Sequence, residues 1–229
     1  MHEMPRPETG GTGKFTVRPF EMRDLDPVAD LLVEVFWDNP VYRQIFGPKD
    51  TMRGLRWVFR REVLLNLRYG EVKVICLPGE TGQVIGTFSL TPPDAAAPSV
   101  FDYVRLGILG MPFRFGPAAL VRMLSLMKQN ERTIATAMQG VRCWYLGLVA
   151  VSPRHRNQRI ASGSLAQAFA ALGPSSEVVL STQLESNVRL YTRLGFQVVA
   201  EPPLGWRHDK VRNWVMYRNA TSAPGVAPA

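Results

Sequence analysis

The chain has 229 residues, of which 46% are apolar, and a net charge of +8 at neutral pH; that length suits one domain, or one domain with an insertion, and the apolar share can fill a sizeable core. Its two cysteines, Cys76 and Cys143, sit in strand-like apolar runs with no metal-ligand spacing, which argues against a disulfide scaffold or a cysteine metal site and for a reducing compartment. The positive charge favours an anionic partner, whether nucleic acid, membrane surface or phosphorylated cofactor, and fits plain solubility equally well.

Residues 1–13 are rich in Pro, Gly and Thr and read as a disordered tail. They carry no apolar core of a signal peptide, so a cytoplasmic location is expected. Phe15–Pro19 alternates like a short strand. The run DLDPVADLLVEVFWDNP places Val28, Leu31, Leu32, Val35 and Phe36 at helical spacing, with Asp24 or Asp26 to cap the start and Asn39-Pro40 to stop it. A second helix is predicted over about 50–68, ending at Tyr69-Gly70. EVKVICL and QVIGTFSL, joined by a Gly/Pro turn, predict a hairpin, and Pro92-Pro93 closes its second strand.

Residues 95–140 read as a mostly helical insertion. Its most apolar stretch, 104–127, is interrupted by Arg114 and Arg122 and punctuated by Gly and Pro, so it fails as a spanning helix of roughly 20 apolar residues. RCWYLGLVAV (142–151) is a continuous apolar run, predicting a central strand buried on both faces. SGSLAQAFAAL then reads as a helix, SSEVVLST as a strand and NVRLYTRL as a short helix, while QVVAE and KVRNWVMYR are the last two strands. This order predicts a mixed α/β sheet with its core in the C-terminal half. One domain is expected over 14–218, with a further disordered tail at 219–229.

The chemistry concentrates in VSPRHRNQRIASGSL (151–165). A strand ends at Val151-Ser152-Pro153, a basic loop follows and a helix begins near Ile160–Ser162. The first turn of a helix leaves N–H groups unpaired and its dipole favours negative charge. Ala161, Ser162 and Gly163 are small enough for a phosphate to approach the backbone, and Arg156 and Arg159 can add charge-assisted bonds.

This run, with NVRLYTRLGF downstream, resembles the motifs of the Gcn5-related N-acetyltransferase (GNAT) family. The family pattern V-x-P-x-x-[QR]-x-x-G-x-[GA] meets Val151, Pro153, Arg156 and Ala161, with Arg159 where glycine is usual. Arg159 cannot take positive φ as cheaply as glycine, so either the loop stays right-handed there, the favoured expectation because the arginine could reach the CoA phosphates, or pyrophosphate binding is weakened or reshaped. Asn187, Tyr191 and Gly195-Phe196 match the N-x-x-x-Y-x-x-x-G-F form of one branch of the family; many members place the Asn three residues earlier, where Leu184 stands here. The layout is most similar to the branch that acetylates puromycin. The resemblance spans about 14–218 and is specific over 142–200.

The resemblance implies a mostly antiparallel sheet flanked by helices, in which the fourth strand splays from the fifth. It implies acetyl-CoA as co-substrate and no metal. The pantetheine would lie along Val149, Ala150 and Val151, and an N–H near Val149 would polarise the thioester. The pyrophosphate would rest on the N–H groups of Asn157, Gln158, Arg159, Ile160, Ala161 and Ser162, with Arg156 and Asn187 contributing. Tyr191 would protonate the leaving thiolate, since a phenol of pKa about 10 keeps its proton at neutral pH. Against this stand a core role for Tyr191 and helix capping by Ser186 or Asn187. No base is evident on the fourth strand; Glu34, Asp38, Glu185 and His208 are candidates elsewhere. Trp37, Tyr42, Trp57, Phe101 and Trp206 could line an acceptor site.

The implied activity is acetyl transfer to the primary amine of a small drug or metabolite, with a homodimer left open. A longer acyl donor, a hydroxyl acceptor or a non-catalytic CoA-binding regulator are the alternatives. Nucleic acid is not an expected partner, as no groove-binding motif accompanies the arginines, and no membrane partner is expected either.

Overall fold

The computed structural model describes residues 15–79, 82–173 and 175–219; the tails expected at 1–13 and 219–229 lie outside the described residues, apart from Asn219. In chain order, β1 (Thr16–Pro19) leads into α1 (Leu25–Phe36), α2 (Pro40–Phe46) and α3 (Thr51–Tyr69). The hairpin β2 (Glu71–Cys76) and β3 (Val84–Thr91) precedes an insertion of α4 (Val100–Arg105), α5 (Met111–Phe115) and α6 (Pro117–Met138). Then come β4 (Trp144–Val151), α7 (Ile160–Leu172), β5 (Val178–Thr182) and α8 (Glu185–Thr192), followed by β6 (Gln197–Ala200), β7 (Leu204–Trp206), β8 (Asp209–Val211) and β9 (Trp214–Arg218).

Seven strands form one sheet in the order β1-β2-β3-β4-β5-β9-β6, while β7 and β8 make a separate ribbon. All pairings in the large sheet are antiparallel except β4 with β5. One face is covered by α7 and α8, whose Leu165, Phe169 and Tyr191, with Leu194 just after α8, pack with Ile85, Phe88 and Met216. The other is covered by α1 and α3, whose Val28, Leu32, Leu55 and Phe59 meet Val74, Cys76, Leu148 and Ala150. Fully burying each such side chain is worth roughly 1.5–3 kcal/mol, so these two layers hold the sheet from both sides. A third cluster, with Phe46, Trp57, Met111 and Met123, seats the insertion against α2 and α3.

Two expectations need correction. Asn39-Pro40 does not simply stop a helix: α1 ends at Phe36, and Asn39 caps α2, its Oδ1 accepting from Val41 N–H at 2.9 Å with Pro40 in the first turn. Pro is well placed there because that N–H has no intrahelical partner to lose. The second concerns β4, which is not buried on both faces. Its burial alternates, with Leu146, Leu148 and Ala150 buried and their neighbours half-buried. The alternation conceals a switch of face. Ser89 pairs with Gly147 and Thr87 with Ala150, leaving Leu148 and Val149 opposite Phe88 alone. This is a β-bulge, and Leu148 takes φ +50° to make it. Leu146 therefore packs on the α7/α8 side, whereas Leu148 and Ala150 pack under α1 and α3.

Candidate active site

The parallel pairing of β4 with β5 runs only through Trp144–Val178 and Tyr145–Val179. Beyond Tyr145 the strands part, and the gap opens into a cavity of about 340 Å³. Residues 145–149 of β4 and 180–184 at the end of β5 line it, together with side chains of α2, α3, α4, α6 and α8. The bulge at Leu148-Val149 faces this gap, where a strand edge leaves backbone groups unpaired. Of the three β4 residues expected at the pantetheine, Val149 is on the cavity wall. Ala150 is buried beneath α1 and α3, and Val151 packs toward α7.

After β4 the chain makes a short 3-10 turn, Pro153–His155, and enters α7 through a loop with two left-handed residues, Asn157 (φ +62°) and Arg159 (φ +59°). The right-handed expectation for Arg159 is thus overturned. The chain must reverse sharply within four residues to start α7 at Ile160, and positive φ at two positions achieves it. The cost is about 1–2 kcal/mol for each residue bearing a Cβ. Arg159 stands at the N-cap of α7 and offers no side-chain cap. The amides of Ile160, Ala161 and Ser162 accordingly point out of the helix with no intrahelical acceptor, and the first bond back is Gly163 N–H to Arg159 C=O, 2.8 Å. Arg154, Arg156 and Arg159 are exposed, and none pairs with a carboxylate among the described residues. Unpaired amides and unneutralised guanidinium groups in one loop are the donor set a diphosphate needs. Gly163 serves packing instead: a Cβ there would stand 3.0 Å from the Phe15 ring.

On the opposite lip of the gap, Tyr191 is buried and packs its ring against Phe196, at 5.7 Å between centroids. Burial drives its pKa above the ordinary value, with the nearby Tyr145 adding a smaller push. Asn187 does not cap α8; Leu184 occupies the N-cap, and both Ser186 and Asn187 lie in the first turn. Asn187 Nδ2 donates instead to Thr182 Oγ1 at 3.1 Å, fastening α8 to the end of β5. Both Tyr191 and Asn187 line the cavity.

The model of the acetyltransferase (GNAT) family matches residues 66–196, more than half of the chain. The chain belongs to the GNAT acetyltransferase family. No curated protein matches it at a significant level. Among solved structures, it is similar to a histone-acetyltransferase-related acetyltransferase of Corynebacterium glutamicum: 20% identity, TM-score 0.61, 94% of this chain and 99% of that one. It is also similar to a polyamine N-acetyltransferase of Drosophila melanogaster, at 14% identity and TM-score 0.60, covering 90% of this chain and 99% of the other. A spermidine N-acetyltransferase of Vibrio cholerae, solved with CoA and spermine, aligns at 13% identity and TM-score 0.52 over 92% and 98% of the two chains. At these identities the likeness is one of fold, and it agrees with the GNAT architecture of a mostly antiparallel sheet with a parted fourth and fifth strand.

Within that GNAT frame, the sequence candidates divide. Glu34, Asp38, Glu185 and His208 are all exposed, and none is on the cavity wall. Glu34 accepts a long bond from Ser152 Oγ at 3.4 Å, and Glu185 pairs with Arg189 at 3.2 Å. Of the aromatic candidates, only Tyr42 reaches the cavity; Trp57 is core, and Trp37 and Phe101 are exposed. The acid that does line the cavity is Glu62, on α3, which no motif picks out. Desolvation lifts its pKa from 4.5 to about 7. Among the described residues no group of three or more His, Cys, Asp or Glu could hold a metal, and no helix is long and apolar enough to cross a membrane.

Proposed function

We propose that this chain is an acetyl-CoA-dependent N-acetyltransferase that acetylates the primary amine of a small molecule, with Tyr191 as general acid. The observation that carries the reading is the single cleft formed where β4 leaves β5. Val149, Asn187 and Tyr191 line it, while the unpaired amides of α7 follow the end of β4 outside that lining. Arg156, Arg159 and the amides of 157–162 would hold the diphosphate of acetyl-CoA. The bulged backbone at Val149, with Ala150 and Val151 beyond it, would track the pantetheine, bringing the activated thioester to the cavity. Family membership and the CoA-bound neighbour of the same fold support this reading of the co-substrate.

In this reading the amine attacks the thioester carbonyl carbon, the C–N bond forms and the C–S bond breaks. Tyr191 delivers its hydroxyl proton to the departing sulfur. Its burial suits the role, because a raised pKa keeps the phenol protonated throughout the working range. Asn187 acts on α8 rather than on the substrate, holding the helix, and with it Tyr191, to Thr182.

Tyr191→Phe tests this directly. Calorimetry with acetyl-CoA should return a Kd within about two-fold of wild type, while thiol release with an amine panel falls about 10²-fold, the usual scale for a positioned acid. Unchanged turnover would remove Tyr191 from the chemistry, and stabilisation by longer acyl-CoAs well beyond that by acetyl-CoA would replace the donor.

A further inference from the structure

The amine must lose protons, and Tyr191 accounts for only the one delivered to sulfur. An alkylammonium of pKa about 10.4 is almost wholly protonated at neutral pH, so a group in the cavity must accept its proton. Glu62 is the one carboxylate among the residues lining the cavity. The cation beside it, Arg61, is held elsewhere. Its guanidinium lies 3.7 Å above the Trp57 ring, and Nη1 donates to Trp57 C=O at 2.9 Å. No ion pair reaches the Glu62 carboxylate from any described residue. An unneutralised carboxylate in an apolar cavity is costly to keep charged, and an incoming cation relieves that cost.

The groups facing Glu62 across the cavity are neutral: Tyr42 from α2, Tyr103 from α4 and Tyr145 from β4, all of whose hydroxyls are kept protonated by burial. On its own helix Glu62 is flanked by Asn66 and by the cation Arg61. Tyr145 lines the same cavity as Glu62 and Tyr191. Asn130 and Ser181 line the cavity as well, and Asn130 Oδ1 is buried with no hydrogen-bond partner. The wall thus offers an ammonium the Glu62 carboxylate and two buried, unpartnered oxygens, the Asn130 carbonyl and the Ser89 hydroxyl. Away from them it is apolar, formed by Val41 and Ile45 of α2 and by Ile108, Met123 and Leu126 of the insertion.

We propose that Glu62 is the proton acceptor for the amine, and that the acceptor substrate is a primary monoamine on an apolar body seated against α2 and the insertion. This rests on the N-acetyltransferase reading and deepens it. One ammonium proton passes to Glu62 and frees the lone pair that attacks the thioester carbon. As the C–S bond breaks, Tyr191 protonates the sulfur, and the second proton shed by the nitrogen restores Tyr191. Glu62 returns its proton to solvent when the amide leaves. A polyamine fits poorly, since no second carboxylate lines the cavity for its second ammonium.

The experiment compares wild type with Glu62→Gln on phenethylamine, spermidine and trifluoroethylamine, reading thiol release against pH, with acetyl-CoA calorimetry on both proteins. The variant should bind acetyl-CoA within about two-fold yet lose 10² or more in kcat/KM for phenethylamine at pH 7. It should lose far less with trifluoroethylamine, which is already neutral there. Wild-type kcat/KM should level off above about pH 7, whereas the variant's should keep climbing toward the amine's own pKa of about 10. Wild type should favour phenethylamine over spermidine by at least about ten-fold, on the scale of one uncompensated buried charge. Turnover that Glu62→Gln leaves unchanged in rate and pH profile overturns the base and leaves the transferase standing. Preference for spermidine overturns the acceptor class. Acetyl-CoA binding with no thiol release from wild type on any amine overturns the transferase reading and this one with it.

Discussion

At the scale of single residues, Arg159 combines two effects that a substitution can separate. Its backbone sits at φ +59°, where a Cβ costs about 1–2 kcal/mol, while its exposed side chain carries a guanidinium at the N-cap of α7. Arg159→Gly should raise stability by about 1 kcal/mol in a urea titration, because glycine takes this conformation freely. The same change should weaken acetyl-CoA several-fold by removing a charge-assisted bond, with a shallower salt dependence. A variant that gains stability and keeps its affinity would show that the guanidinium does not touch the phosphates. The departure at this position is visible in the sequence, but its left-handed backbone is not, since only the turn into α7 imposes it. Glu62 was hidden for a different reason. In RREVLLNLRY it looks like one more charge on an amphipathic helix, and it becomes a cavity residue only when the insertion, forty or more positions later, closes over α3.

At the scale of elements, most of the sheet was legible because alternation and turn chemistry are local signals. The hairpin of β2 and β3, the helix α7 and the order from β4 to β6 follow from them, whereas the β7–β8 ribbon does not, and KVRNWVMYR, expected as one strand, divides into β8 and β9. What local signals missed were places where one stretch does two jobs. Asn39-Pro40 carries a stop signal for α1 and a start signal for α2, and a reading that takes the first overlooks the second. The bulge in β4 was equally hidden, since an unbroken apolar run gives no sign of which face each residue takes. The cap of α2 can be tested by itself. Asn39 is buried and its Oδ1 satisfies the Val41 amide. Asn39→Ala should therefore cost about 1 kcal/mol, seen as a lower urea midpoint at unchanged slope, and Asn39→Asp should recover most of it. Equal loss in both variants would assign the effect to packing rather than to the cap.

Across the whole molecule, two carboxylates shape the pH dependence of stability in opposite directions. Asp102 accepts from Ser99 Oγ and Tyr69 O–H, and its pKa falls from 3.8 to about 2, with the Ser99 hydroxyl as the main cause. A depressed folded pKa gives stability that is present above about pH 4 and lost as pH falls toward 2, so acid should loosen the attachment of α4 to the end of α3. Glu62 has the reverse sign. Its folded pKa of about 7 lies above the unfolded value of 4.5, so its contribution is intact below pH 4.5 and is lost as pH rises to about 7. A tenfold change in proton affinity is worth about 1.4 kcal/mol, and relaxation of water in the cavity lowers the total, leaving a destabilisation of about 2 kcal/mol. Glu62→Gln removes the charge but keeps the shape. It should therefore match wild type at pH 4 and exceed it by about that amount at pH 8, measured by urea titration at each pH. A difference that is the same at both pH values would mean that the Glu62 carboxylate is not desolvated. A difference that grows between pH 4.5 and about 7 and is level beyond would mean that the fold gives up stability at the position where the amine's proton is to be received, the trade expected of a group kept for chemistry rather than for packing.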